Sequence, residues 1–166
     1  KLANATQDYL SAVQLARSEA IRRNVPVEFV LTDTAVNTTN FENALTSSAA
    51  GANWAVRAAS DVASQPFTLI ETKAGRDGAG DATATNAVQV AASGPTGFAG
   101  VVSFNGFGGT SDGAPYALDI SNSAAGICKA LGGPIRCRRI TVTAGGRIAA
   151  CDPDTSLPTT DTRRCP

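Results

Sequence analysis

The most regular pattern of hydrophobic and polar positions in this chain lies in residues 1–24. At helical spacing, small and apolar side chains fall on one stripe about 100° wide, and polar side chains take the opposite side. The stripe consists of Leu2, Ala5, Tyr9, Ala12, Val13, Ala16 and Ala20. Arg22 and Arg23 lie where the helix dipole favours cations, and Pro26 prevents the helix from continuing. The pattern predicts one amphipathic helix whose alanine-rich face lies close to a sheet.

Short segments of alternating or β-branched residues follow the helix and predict a β-rich body. The predicted strands are 25–31, 54–57, 67–71, 88–92, 101–104, 116–120, 138–143 and 147–150. The connection at 33–51 has little periodicity and is predicted as a long loop with room for one short helical turn. The glycine-rich segment 73–85 is predicted as a second loop. One long helix followed by about seven or eight short strands indicates the α+β class.

Two turn sequences predict how strands pair. The Asn-Gly pair at 105–106 is a hairpin signal, and we expect strand 116–120 to pair with strand 101–104 before it. The Ala-Gly-Gly turn at 144–146 lies between the last two predicted strands and gives the strongest hairpin signal in the chain. We therefore expect an antiparallel sheet.

The composition weighs against several classes of function. The chain has 166 residues with 14 basic and 14 acidic side chains, so its net charge gives no general attraction to nucleic acid or anionic membrane. It contains no histidine, which removes the usual general base and the usual zinc ligand. Segment 73–85 matches neither a phosphate-binding nor a calcium-binding loop. We therefore predict no enzyme activity, no catalytic residue, no metal ligand and no cofactor.

All four cysteines lie in the last quarter of the chain, at Cys128, Cys137, Cys151 and Cys165. None forms a CxxC pair, and their even number in loop-rich sequence predicts disulfides and an oxidising compartment. Three connectivities are open, and we favour the sequential one, in which the second closed loop adds about 3 kcal/mol of stability. The tail from residue 152 onward is predicted to be irregular and to be held only by its disulfide.

The start of the chain bears on how the protein meets a membrane. No hydrophobic run approaches the ~20 residues that a membrane-spanning helix needs, and no signal peptide is visible. The sequence begins at Lys1, without methionine and inside a helical pattern that has no N-cap. We therefore expect that the helix continues a segment that precedes Lys1.

Several short motifs occur along the chain in a recognisable order. The helix end at 16–24 has the sequence ARSEAIRRN. Further motifs follow at 54–56 (WAV), 102–108 (VSFNGFG), 139–142 (RITV), 145–148 (GGRI) and 151–153 (CDP). In these motifs the chain resembles the GspH/FimT-type minor pilins and pseudopilins, which include FimU/FimT-like proteins of type IV pili. The helix motif is fairly specific, and together the motifs span nearly the whole chain.

This resemblance implies a type IV pilin-like fold, in which a long N-terminal amphipathic helix packs on antiparallel β-sheet and disulfides staple the C-terminal region. Residues 1–24 would be the C-terminal half of the pilin helix, and residues 25–166 the β-rich globular head. The hydrophobic half of the helix would precede Lys1 and anchor the protein in the inner membrane. The implied location is the bacterial inner membrane, facing the periplasm, and the pilus fibre at the cell surface.

The leading hypothesis from the resemblance is a structural minor pilin that helps to prime or cap a type IV pilus, in a complex with other minor and major pilins. The alternative is a minor pseudopilin of a type II secretion system. The disulfides favour the pilus, because they resemble the staple with which many pilins fix an exposed C-terminal loop. Four charges are predicted to face neighbouring subunits, although a solvated helix end explains them equally well. They are Arg17, Glu19, Arg22 and Arg23.

A third hypothesis is DNA capture for natural transformation, because some FimT-like pilins bind DNA through a C-terminal GRxR motif. The matching stretch is 146–149, where Ala149 replaces the second arginine and one phosphate contact is missing. The candidate DNA contacts are Arg147, Arg138, Arg139, Arg163 and Arg164. Nearby aspartates oppose this positive charge, so DNA is a partner that we do not favour.

Overall fold

The structure is a computed structural model that describes residues 2–75 and 88–166. Its elements in chain order are α1 (Leu2–Arg23), β1 (Val27–Thr32), α2 (Phe41–Ala44), β2 (Asn53–Val62), β3 (Gln65–Lys73), β4 (Gln89–Ser93), β5 (Val101–Phe104), β6 (Tyr116–Ser121), a 3₁₀ turn (Lys129–Leu131), β7 (Arg138–Val142) and β8 (Ile148–Cys151). The predicted α+β class is confirmed. The short helix α2 lies in the predicted loop at 33–51. From residue 76 onward, the predicted loop at 73–85 lies outside the described residues.

Helix α1 confirms the predicted amphipathic helix. Its buried side chains follow the predicted stripe with one polar addition, Thr6, whose hydroxyl donates to the Leu2 carbonyl oxygen at 2.8 Å. Asn24 ends the helix in the left-handed conformation (φ 53°), and Pro26 follows before β1 begins. The small alanines of the stripe let the helix contact strands of both sheets. Within residues 2–75 and 88–166, no helix combines the length and apolar character that crossing a membrane requires.

The first sheet has the strand order β3-β2-β1-β5, and all its neighbours are antiparallel. β1 is a central strand, where Val30 lies opposite Ala55 on β2 and opposite Val101 on β5. The side chains of Phe29 and Phe104 are fully buried in one apolar cluster with residues of α1. Helix α1 therefore covers the first sheet through the face that its stripe predicts.

The second sheet has the strand order β4-β6-β7-β8 and is also antiparallel. The predicted hairpin between the last two strands is confirmed, with Thr141 on β7 opposite Ala149 on β8. Leu118 and Ile120 of β6 and Ile140 of β7 are fully buried in the same cluster as the first sheet. Both sheets and α1 therefore enclose a single apolar core.

One predicted pairing is wrong: β6 does not pair with β5. β5 pairs with β1 in the first sheet, and β6 pairs with β4 and β7 in the second. The Asn-Gly signal makes only a tight turn, closed by a bridge between Phe104 and Thr110. The alternating residues Tyr116, Leu118 and Ile120 bury one face of a strand in either sheet, so the local pattern does not specify a partner.

The C-terminal region, residues 128–166, contains both disulfides in the favoured sequential connectivity. Cys128 is bonded to Cys137, and Cys151 is bonded to Cys165. The tail is irregular as predicted, but hydrogen bonds hold it in addition to the disulfide. Asp152 N donates to the Arg163 carbonyl oxygen at 2.6 Å, and Cys165 N donates to the Asp152 carbonyl oxygen at 3.0 Å. These bonds lay the end of the chain beside residue 152, just after β8.

Candidate functional site

The C-terminal end of α1 meets two turns of the β-rich body. One turn, 105–109, follows β5, and the other, 143–147, joins β7 to β8. Thr110 N donates to the Ala144 carbonyl oxygen at 2.9 Å, which ties the two sheets together beside the helix. We call the area formed by residues 17–24 and by these two turns the helix-end surface. It contains all four of the predicted subunit-facing charges and one of the predicted DNA contacts.

Glu19 forms an ion-pair cluster with Arg22 and Arg23 in the last turns of α1. Arg22 donates to both carboxylate oxygens, with Nε–Oε1 at 2.9 Å and Nη2–Oε2 at 2.6 Å, and Arg23 Nε donates to Oε2 at 2.6 Å. The hydrogen bonds from Arg22 and Arg23 lower the pKa of Glu19 from its ordinary value of 4.5 to about 2. The negative charge of Glu19 is therefore neutralised within its own helix, and Glu19 does not neutralise Arg17 or Arg147.

Arg17 makes a contact that its place in the sequence did not reveal. The residue is half-buried, and its Nε donates to the Gly108 carbonyl oxygen at 2.9 Å. Glycine is required beside this contact, because Gly146 has φ 81° and a Cβ there would overlap the Gly108 carbonyl oxygen. Arg17 thus links the helix to the first turn, with the second turn packed against both. Its role as a subunit-facing charge stays a prediction.

Phe107 is the feature of this surface that sequence reasoning missed. Its side chain is 96% exposed, whereas the other aromatic residues that the structure describes are buried or half-buried. Ile21 of α1, 47% exposed, lies beside the same turn: a Cβ on Gly108 would be 2.8 Å from its Cδ1. The signal was present in the sequence, because an aromatic residue between two glycines at the tip of a turn has no sheet face to bury it.

The five arginines predicted as DNA contacts do not form one surface. Four of them are engaged by acceptors within the chain. These acceptors are Asp152 for Arg138 (3.8 Å), Asp119 for Arg139 (2.7 Å), Asp161 for Arg163 (2.6 Å) and the Leu157 carbonyl oxygen for Arg164 (2.8 Å). Arg147 is exposed, and its side chain has no hydrogen bond or ion pair among the residues described. It lies in the helix-end surface, at the far end of the β7–β8 hairpin from Arg138. One unengaged cation is a weak basis for tracking a phosphate backbone.

Two buried carboxylates lie in the C-terminal region. Asp152 is 1% exposed: its Oδ1 accepts from Asp154 N at 3.1 Å, and its Oδ2, which accepts no hydrogen bond, lies 3.8 Å from Arg138 Nη1. Asp154 accepts from the Ser156 hydroxyl at 2.6 Å and from Ser156 N at 2.9 Å, and these bonds lower the pKa of Asp154. Among residues 2–75 and 88–166, no group of three or more His, Cys, Asp or Glu is placed to hold a metal ion. These carboxylates order the tail.

Comparisons with known proteins support one family and one fold. The family model described as type II transport protein GspH matches residues 5–146. Two crystal structures of the type IV minor pilin FimU from Pseudomonas aeruginosa (strain PAO1) are similar to the chain. Both have a TM-score of 0.54 and cover 95% of this chain, with identities of 16% and 15% and coverage of 92% and 98% of FimU.

A second kind of relative has the same fold. The minor pseudopilin EpsH from the type 2 secretion system of Vibrio cholerae has a TM-score of 0.56 and 12% identity, over 92% of this chain and 97% of EpsH. No curated protein sequence matches the chain. At these identities, the similarity to the solved structures shows the fold alone.

Proposed function

Because the chain belongs to the GspH family of minor pilins and pseudopilins, we propose that it is a structural minor pilin that helps to prime or cap a type IV pilus. Proteins of this family are structural, not enzymes, and they work in complexes with other pilins. The proposed partners are the minor and major pilins of one filament. The proposal includes a hydrophobic helical segment, ahead of the 1–24 helix, that holds the protein in the inner membrane with the 25–166 head in the periplasm.

The observation that carries the pilus assignment is the covalent closure of the C-terminal region. The Cys128–Cys137 bridge encloses a loop with the exposed side chain of Leu131, and the Cys151–Cys165 bridge fastens the tail to the edge strand β8. The arrangement resembles the staple of many pilins. A loop on an extracellular fibre has to keep its shape in an oxidising environment, and disulfides supply that constraint.

A minor pseudopilin of a type II secretion system is the second candidate. The observation that favours it is the similarity to EpsH, whose TM-score of 0.56 is close to the 0.54 of FimU. A head of this fold suits either assembly, because both are filaments of helices with globular heads around them. The two candidates therefore differ in the assembly that is lost when the protein is absent.

Deletion of the gene in the source bacterium separates the candidates. We expect the deletion to abolish or sharply reduce surface pili, counted by electron microscopy, and to leave secretion of type II substrates into the medium unchanged. The full-length gene should restore pili, and an immunoblot should confirm that the other pilins are still made. Normal pili with a loss of secretion would replace the pilus assignment with the pseudopilin assignment. If both pili and secretion stayed normal, neither candidate would stand.

A further inference from the structure

We propose that the helix-end surface is the docking site for a neighbouring protein subunit, which presents an acidic patch with an apolar pocket for Phe107. The proposal rests on the proposed function and adds to it the place of contact and the chemistry of the partner. Phe107 is the anchor, Ile21 extends the apolar contact, and Arg17 and Arg147 set the sign of charge that the partner must carry. Three features of the surface support this docking site: an anchor on an ordered turn, an adjacent apolar side chain and positive charge that no carboxylate balances.

The backbone around Phe107 is held in place while its side chain is fully available. Phe107 N donates to Asn105 Oδ1 at 3.0 Å, and Gly108 N donates to the Asn105 carbonyl oxygen at 2.9 Å. Asn105 N in turn donates to the Gly109 carbonyl oxygen at 2.9 Å, and Arg17 holds the Gly108 carbonyl oxygen from the helix side. Because the backbone of this turn is already ordered, little backbone entropy is lost when Phe107 binds, which is the property of an effective anchor.

The apolar part of the surface extends from the turn onto α1. Ile21 lies beside Gly108, so Ile21 and Phe107 are exposed at the same corner of the molecule. Aromatic residues and arginine are enriched at the centres of protein interfaces. The phenyl ring of Phe107 is 96% exposed, and exposure of apolar surface to water is unfavourable. A pocket on another subunit would remove that ring from water.

The charge of the surface is positive in a chain whose total charge is zero. Its only carboxylate, Glu19, is occupied by Arg22 and Arg23, and Arg17 donates only to a carbonyl oxygen. Arg147 has no hydrogen bond or ion pair among the described residues. Arg17 and Arg147 are therefore available for carboxylates on a partner, and complementary charge sets specificity and the rate of encounter.

A protein fits this surface better than DNA does. Binding to a phosphate backbone needs several free cations in a row, whereas the surface offers two arginines without a carboxylate partner. The exposed pair Phe107 and Ile21 adds apolar contact, which a protein pocket accommodates. DNA is accordingly the competing outcome of the test.

The test uses full-length protein in the deletion strain, with each variant expressed at the level of the wild type. Phe107→Ala and Arg147→Glu remove the anchor and the charge. The matched controls are Val62→Ala, which truncates a 54% exposed apolar residue at the end of β2, and Arg136→Glu, which reverses another exposed arginine. We expect Phe107→Ala and Arg147→Glu each to reduce the restored assembly about tenfold or more and the controls to leave it unchanged.

The partner is identified by a photo-crosslinking amino acid placed at position 107. We expect a crosslink to another subunit of the same assembly, at a site with Asp or Glu beside apolar residues, and mass spectrometry locates that site. Changing the acidic partner residue to Arg should restore assembly to the Arg147→Glu variant. Rescue by this charge exchange shows direct contact, because a misfolded head would not be rescued by a change on another protein.

Three results would overturn the docking proposal. In the first, Phe107→Ala and Arg147→Glu restore assembly as well as the wild type does. In the second, the crosslink reaches no subunit of the assembly. In the third, purified chain shifts duplex DNA at about 50 mM salt but not at about 200 mM, and Arg147→Glu abolishes the shift while assembly stays normal. Any of these, with the deletion still losing its assembly, leaves the proposed function intact. A deletion without effect on pili or secretion removes the proposed function itself.

Discussion

The apolar core under α1 and the C-terminal region are stabilised by different means. In the core, helix and sheets bury side chains such as Phe29, Phe104 and Leu118 that need no partner beyond close packing. Outside β7, whose Ile140 and Val142 belong to the core, the C-terminal region instead buries the carboxylates of Asp152 and Asp154 and has only a 3₁₀ turn and the short strand β8. Covalent bridges and backbone hydrogen bonds replace apolar area there.

This difference means that mutations affect the stability of the two regions in different ways. The stability of the core depends on the apolar area that is removed from water. A mutation lowers this stability in proportion to the buried atoms that it deletes. The stability of the C-terminal region depends on disulfides and hydrogen bonds that hold an otherwise irregular chain. It is lowered by reduction of a disulfide or by loss of a hydrogen bond. The two regions should therefore respond to different perturbations, and four measurements test this comparison.

The largest expected effect is in the core. Phe104→Ala should lower the free energy of unfolding by about 3–5 kcal/mol, because it deletes a fully buried ring and leaves a cavity. Phe107→Ala is the matched control, since the same atoms are removed from a side chain that is 96% exposed, and it should change stability by less than about 0.5 kcal/mol. Urea unfolding followed by the fluorescence of Trp54 measures both. Equal losses for the two variants would contradict the packing described for β5.

The disulfides should give the next largest effect. Replacing both cysteines of the Cys151–Cys165 bridge, or both of the Cys128–Cys137 bridge, with serine should cost about 3 kcal/mol in either case, because the closed loops are of similar length. The same urea titration measures these variants, and wild type with a reductant should match the two losses together. The buried environment of Trp54 should survive without urea. If removing either bridge unfolded the core, the two regions would not be separable.

The sequence predicted the elements whose pattern is local. The α1 stripe and the β7–β8 hairpin are determined within about twenty residues or fewer, so propensity and spacing are sufficient to find them. The pairing of β5 with β1 joins residues far apart, and the alternation of β6 is satisfied in either sheet, so its partner was predicted wrongly. Pairings of this kind are decided by how both sheets close over one core, which no single window of sequence contains.

The candidate site was predictable only in part, for the same reason. The charges at 17–23 were visible from the helix pattern, and disulfides were expected from the crowding of four cysteines in the last quarter, with the sequential pairing favoured among three. The contact of Arg17 with Gly108 was not visible, because it joins residues that only the folded chain brings together. The same holds for the acceptors of the arginines: Arg139 and Asp119 become neighbours only when β6 pairs with β7.

A smaller effect is expected from the buried carboxylate of the C-terminal region. Asp152→Ala should lower the free energy of unfolding by about 1–2 kcal/mol, because Asp154 N loses its acceptor. Asp152→Asn is the matched control, since the amide oxygen can still accept that hydrogen bond while the charge near Arg138 is lost, and its cost should be smaller. Urea unfolding of both variants gives the comparison. If Asp152→Asn lowers the free energy of unfolding as much as Asp152→Ala does, the ion pair with Arg138, not the hydrogen bond, is the stabilising interaction of residue 152.

The smallest effect is the acid response of the ion pairs on the surface, and it is expected in both regions. Arg22 and Arg23 lower the pKa of Glu19 to about 2, and hydrogen bonds from Arg163 lower that of Asp161 to about 2. A carboxyl whose pKa is lower in the folded state adds stability above its unfolded pKa. That stability is lost as the pH falls from about 4.5 to about 2 for Glu19, because the unfolded chain binds the proton first.

Glu19→Gln should therefore lower the thermal midpoint slightly at about pH 6, and most of this difference from the wild type should disappear by about pH 2, the pKa of Glu19 in the folded state. The loss at neutral pH should stay below about 1 kcal/mol, because these pairs are exposed to solvent, and it should shrink further in high salt. Asp161→Asn should show the same direction from the C-terminal region. If the difference between wild type and Glu19→Gln were as large at about pH 2 as at about pH 6, Glu19 would support the helix end through packing and not through its charge.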